Sequence, residues 1–232
     1  MTSRRELYAG ICLILGLICG YGGQFIAAIR WPVLYTPRYN LIGDFSVRTC
    51  GAWVEDYSQR NLCSPGSVWF SIGLFLAGVA AAGAATFLVL HMRRAVILYA
   101  LGASLILWAF LGADAHPRAH LWVGALTALL LWLSVLLLRP TVAWTWMWCV
   151  FSLIGMILAL RHATAGPLGE PGLYQRMAID CLSLGFLMHA TWLIKRGRQS
   201  GVAQQTRRQQ QGEERKEKDR AIVEAARKLE DQ

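Results

Sequence analysis

The chain has 232 residues, 55% of them hydrophobic and only 16% charged, with ten tryptophans and a formal net charge of +9. A soluble domain would interleave its apolar residues with charge, whereas here they fall in blocks of about twenty, the length that crosses about 30 Å of hydrocarbon. Eleven of the 23 basic residues lie from Lys195 onward, against seven acids, a balance that reads as attraction to anionic headgroups and a cytoplasmic address, with no nucleic acid as partner.

The predicted fold is all-α, a polytopic transmembrane bundle of six helices followed by a cytoplasmic C-terminal amphipathic helix. Residues 1–195 form the six-span domain, 196–212 a polar linker and 213–232 the helical tail. The first span covers 7–29. Arg4 and Arg5 precede it, but the apolar run is too long for a signal peptide and ends in no small-x-small cleavage site. The YGGQ stretch at 21–24 is a place where this span could loosen locally.

A long loop follows, 30–66, carrying Asp44 and the only two cysteines outside the spans, Cys50 and Cys63. In an oxidising compartment they can pair, closing a short loop for roughly 3 kcal/mol by chain-entropy reckoning. Cys12, Cys19, Cys149 and Cys181 lie in the spans, where cysteine is a small packing residue. Span two, 67–90, repeats small residues at Gly73, Ala77, Ala81 and Ala85. Lipid gives helices no hydrophobic reason to associate, so such a stripe is a packing face.

After a tight turn at 91–94 comes span three, 95–113, then the stretch GADAHPRAHLW and span four, 119–138. Pro117 suits the first turn of a helix. Counting from there, His116 and His120 stand about one turn apart. With Asp114 they make a set of two imidazoles and a carboxylate, common for zinc. A proton-handling or headgroup-binding site, or an ordinary wet loop, remains open for the same residues.

A turn at 139–141 leads to span five, 142–160, and a loop, 161–172, with Arg161, His162 and Glu170. Span six, 173–194, carries Arg176 and Asp180 at i,i+4. Ionisable groups at membrane depth are costly, face the bundle interior and mark function by default, although such a pair can also simply lock two helices. Asp114, His116 and His120 are therefore expected to converge with Asp44 and with Glu170 or Arg176. His91 and His189 read as interfacial. So do Trp31, Trp69, Trp122, Trp144 and Trp192, while Trp108 and Trp132 fill the bundle. In the tail, Ile222, Ala225, Ala226 and Leu229 make a narrow apolar stripe that could meet a protein partner or the membrane surface.

Arg4, Arg5, Arg93, Arg94, Arg139, Lys195, Arg196 and Arg198 crowd short segments on one side. The basic residues of the other side are diluted over loops with acids. Both termini are thus expected in the cytoplasm, in a plasma (inner) membrane. No Walker loop, nucleophile elbow, HExxH or dinucleotide fingerprint occurs.

The stretches YTPRYNLIGDFSV, CSPGSVWFSIGLFLAG and HPRAH resemble bacterial membrane proteins grouped as domain of unknown function nine-nine-eight, and more distantly the FRAG/DRAM/Sfk membrane proteins. The resemblance covers about residues 8–195. It implies six helices, a polar first loop ending in Ser-Pro and a histidine-bearing start to span four. Where that family shows Ser-Asp-Leu-Gly, this chain has Gly43, Asp44, Phe45 and Ser46, so only Asp44 carries over. The family has no settled activity; some of the distant relatives are tied to lipid handling. The expected function is binding of a lipid headgroup or small ligand in an outward-facing polar pocket, with membrane lipids as partners. Two alternatives remain. One is a metal-dependent intramembrane hydrolase on Asp44, Asp114, His116 and His120, with zinc as its cofactor. The other is a small transporter using Arg176 and Asp180.

Overall fold

Backbone N–H and C=O groups in hydrocarbon have no water to bond, so an apolar run that enters it must close its hydrogen bonds within itself. The computed structural model describes residues 2–32, 35–55, 58–138, 143–165 and 169–230. It holds six helices long and apolar enough to cross a membrane. They are α1 (Thr2–Ile29), α2 (Ser67–Phe87), α3 (Met92–Phe110), α4 (Pro117–Leu138), α5 (Ala143–Ala165) and α6 (Pro171–Glu230). Pro117 opens α4 as expected, and the 139–141 turn lies outside the described residues.

Neighbours in the chain are not always neighbours in space. α1 packs on α2 and α6, α2 on α3, and α3 on α4; a lighter contact of α4 with α6 closes a ring. α5 lies outside that ring on α6 and barely touches α4. It is held there by close backbone approach at Gly155, where a Cβ would stand 2.6 Å from Ala178 N, and by Ser152 Oγ donating to the Ala178 carbonyl at 2.6 Å.

Small residues set the ring. The Gly73 stripe of α2 does pack, and its partner is α1: a Cβ on Gly73 would meet the Cys19 carbonyl at 2.6 Å and Gly23 Cα at 2.9 Å. Gly78 forms a second seam, against Gly102 of α3, which the four-residue repeat did not indicate. The YGGQ stretch does not loosen α1, because Gly23 is part of the α1–α2 seam and the helix runs unbroken.

At one end of the bundle the long loop is partly ordered by strands. β1 (Gly51–Glu55) and β2 (Ser58–Leu62) pair antiparallel, Gly51 opposite Leu62 and Glu55 opposite Ser58. The expected disulfide between Cys50 and Cys63 sits beside the first of these pairs, with Cα atoms 4.2 Å apart. An isolated two-stranded hairpin is marginal in water, and the cross-link closes its open end. Upstream, the helical turn Ile42–Ser46 folds back as a plug on the ring. Phe45, 0% exposed, stacks on Tyr35 with ring centroids 4.6 Å apart and lies edge-on to Trp31.

The other end carries the tail. The ion pair of Glu6 with Arg196 (3.4 Å) places the start of α1 beside α6 there. Segment 196–212, expected as a linker, is instead helix continuous with span six. Its Gln, Arg, Glu and Lys residues are good helix formers, so the helix propagates without a core. At 1.5 Å per residue the 60-residue α6 is about 90 Å long. The side chains of the Ile222, Ala225, Ala226 and Leu229 stripe lie outside the described residues.

Candidate functional site

The polar residues singled out from the sequence all lie near the hairpin end, but they divide into separate arrangements. Asp114 is a clamp. Its Oδ2 accepts from Arg48 N (2.9 Å), Thr49 N (2.8 Å) and Thr49 Oγ1 (2.9 Å), fastening the approach to the hairpin onto the α3–α4 turn. Desolvation alone would raise this carboxyl, but the Thr49 and Arg48 donors overcome it and hold it below the ordinary range. A depressed folded-state value stabilises above the unfolded value of about 3.9 and is lost as pH falls through the folded one. Protection of the residue 48 and 49 amides against exchange, taken relative to the intrinsic rate at each pH, should therefore stay high at neutral pH and fall only below about pH 4. Asp114→Ala should show the low protection at every pH, for a loss of about 1 kcal/mol at this partly solvated position.

His120 is a lock. It is 7% exposed, its Nδ1–H donating to the Leu111 carbonyl (2.8 Å) and its Nε2 accepting from Trp108 Nε1–H (3.1 Å). Both ring nitrogens are thus occupied in one tautomer. Ser46 Oγ stands 3.5 Å away, donates to the Gly43 carbonyl (2.7 Å) and accepts from Ala113 N (3.1 Å). Plug, α3 end and α4 start are tied together here. His116, by contrast, is exposed and precedes α4.

The zinc set therefore does not assemble. Asp114 turns to residues 48 and 49, His120 to Trp108 and Leu111, and His116 to solvent. Asp44, 4% exposed, accepts from Leu41 N (2.8 Å) within the plug. Among the described residues no three His, Cys, Asp or Glu side chains could hold a metal ion. The same geometry removes the constellation on which the hydrolase alternative stood.

Arg176, Asp180 and Asp44 do meet, around two tyrosines that the sequence reading missed. Arg176 Nη2 donates to Tyr35 OH (2.6 Å), which donates to the Asn40 carbonyl (3.3 Å). Tyr21 OH donates to Asp180 Oδ1 (2.7 Å), while the expected Arg176–Asp180 pair is a looser 3.9 Å. Burial raises the Tyr35 phenol above its ordinary value; donation from Arg176 opposes the rise, and the charges of Asp44 and Asp180 add to it. Glu170 pairs with Arg38 outside this group, while Leu173 N donates to the Arg38 carbonyl (3.1 Å). Ile42 N donates to Gln175 Oε1 (2.6 Å), so the first loop is stapled to the start of α6.

Beside Tyr21 the ring surrounds a partly open cavity of about 110 Å³. Its walls are apolar side chains of α1, α2, α3, α4 and α6, with Ile42 of the plug as roof. Tyr21, Gln24, Thr127 and Ser183 bring the polar atoms. Gln24 Oε1 is buried and has no hydrogen-bond partner among the described residues. Nor does Arg176 Nε, one turn before Asp180. Buried polar atoms are nearly always paired, so the Gln24 acceptor in the cavity wall requires an explanation.

No family model, curated protein or solved structure matches the chain. Chemistry must be read from the residues themselves. An open acceptor, a tyrosine paired to a carboxylate and a largely apolar cavity can hold and orient a small amphipathic molecule. Tyr21 and Gln24 had one signal in the sequence, their i,i+3 placement inside an otherwise apolar span. His189, expected at the interface, is 0% exposed beside Trp192, on the stretch of α6 where α1 packs closely, a Cβ on Gly10 standing 2.6 Å from the Ala190 carbonyl. Neither of its ring nitrogens has a partner among the described residues, and nothing in the structure explains this.

Proposed function

We propose that this multi-pass protein resides in the plasma membrane, with both termini cytoplasmic and the hairpin end outside, and binds a small amphipathic ligand inside its bundle. We also propose that it belongs with the bacterial family its motifs resemble. The orientation is supported by the Cys50–Cys63 disulfide, which needs an oxidising compartment, and by the density of arginines at the opposite end. One observation carries the ligand reading: Gln24 Oε1, an acceptor without a partner among the described residues, stands in the wall of an apolar cavity that Tyr21 also lines.

A cavity near 110 Å³ suits a ring or a few carbon atoms, since chambers of about 150 Å³ take benzene. A ligand with one hydroxyl or amine on such a body satisfies both parts of the site. Binding, not turnover, is the activity that these groups support.

The test is to identify small molecules released by solvent from gently extracted full-length protein. Gly20 lines the cavity, and the closest atom to a Cβ there is Ala77 Cβ at 3.8 Å. Gly20→Leu should fill the chamber and leave the helix intact. A compound present in near-stoichiometric amount in the wild type should vanish in Gly20→Leu and fall sharply in Gln24→Leu. The same compounds at the same level in all three proteins, or none in the wild type, would defeat the proposal.

A further inference from the structure

A second concavity lies on the flank of the bundle and is separate from the central cavity. It is a groove of about 670 Å³ between α2 and α3 at the hairpin end, within the size range of small-molecule sites. Its lower part is apolar and open to the side. Ile72 is 43% and Phe110 66% exposed, and Phe75 meets Phe110 edge to face at 6.1 Å. Its upper part is polar, lined by Arg48 and three serines, Ser64, Ser67 and Ser71.

Two observations give this groove a polar ligand. The first is Ser64, which is 1% exposed and whose Oγ has no hydrogen-bond partner among the described residues. The second is Arg48. Its backbone is fixed by Asp114, but among the described residues its guanidinium makes one long bond, Nη2 to the Phe110 carbonyl at 3.4 Å. A guanidinium offers five donors in a fork that matches phosphate oxygens. The Asp114 carboxylate bonds the Arg48 and Thr49 backbone N–H groups and the Thr49 hydroxyl, and no ion pair with the Arg48 guanidinium is seen among the described residues.

We propose that this groove is a binding site for one anionic phospholipid of the leaflet at the hairpin end, its phosphate on Arg48 and the Ser64 hydroxyl and an acyl chain along Ile72, Phe75 and Phe110. Charge selects the headgroup and the lateral opening selects a lipid over a soluble phosphate. The site does not depend on the ligand of the central cavity.

The experiment is native mass spectrometry of the full-length protein in uncharged detergent with equal phosphatidylglycerol and phosphatidylcholine. The wild type should retain one phosphatidylglycerol in preference by about fivefold or more, the worth of one charge-assisted contact near 1 kcal/mol. Arg48→Ala should bring the two lipids to parity, and Arg48→Lys should keep part of the preference. Ile72→Trp fills the groove from an exposed position without touching the hairpin, so it decides the matter if Arg48→Ala folds poorly. It should remove the retained lipid. A wild type without preference, or a preference that survives Ile72→Trp, would overturn the site. Displacement of the lipid by equimolar glycerol phosphate would overturn its lipid character.

Discussion

Replacing His120 with alanine is expected to lower the stability of the purified protein by on the order of 3 kcal/mol, while His116→Ala changes it by less than about 0.5 kcal/mol. The imidazole accepts from Trp108 Nε1–H, its one partner among the described residues, and bonds the Leu111 carbonyl. Removing it orphans a donor and an acceptor in a buried place, each at about 1–3 kcal/mol, and opens a hole beneath the plug. His116 is exposed and loses only solvent contacts. Thermal unfolding in detergent, followed by tryptophan fluorescence, would separate the two. Equal losses in both variants would mean that the histidines act as a pair after all.

Gly73→Leu should prevent the protein from accumulating in folded form, and Gly22→Leu should be silent. A Cβ at Gly73 would already stand 2.6 Å from the Cys19 carbonyl and 2.9 Å from Gly23 Cα, all of it backbone that cannot step aside. Overpacking of a soluble core costs about 1–3 kcal/mol. The cost is larger here because α1 and α2 would have to part along a seam with no hydrophobic drive to restore it. At Gly22 a Cβ meets nothing within 4 Å. Size-exclusion recovery of the two variants from one membrane preparation measures the difference. A monodisperse Gly73→Leu with wild-type recovery would show that the seam is not where the ring is held.

Helix positions were legible because each span is a bounded apolar run whose backbone has one way to satisfy itself in lipid. The ends were shifted where chemistry and hydropathy part. Span two was read to residue 90, yet α2 ends at Phe87, because Leu88–Leu90 are as apolar as the helix they leave. α3 begins at Met92, since Arg93 and Arg94 are polar but perfectly able to be helical. The tail shows the same effect at larger scale: its polarity reads as a linker, whereas the helix propensity of its residues continues α6 through 196–212.

At the site, Arg176 and Asp180 were visible as charges where charge is costly. Their tyrosine partners were not, because Tyr35 and Tyr21 lie 141 and 159 residues away in the chain. The histidine spacing misled for a local reason. Pro117 starts the helix, which leaves His116 outside it, and Trp108 on α3 offers His120 a better partner than a neighbour on its own helix. The hairpin was not legible because its second strand, SQRNL, has no β-branched or aromatic residue and no alternation of polar with apolar positions.

The central claim is that the ring of α1, α2, α3, α4 and α6 holds a ligand at Gln24. Its most direct measurement is a single-particle map of the full-length protein in lipid nanodiscs, with nothing added, at a resolution that separates water from carbon chains. The account predicts continuous density in the chamber lined by Gly20, Ala77 and Ala128, with one polar atom within hydrogen-bonding distance of Gln24 Oε1. An empty chamber, or an isolated water on Gln24 with nothing beyond it, would contradict the claim.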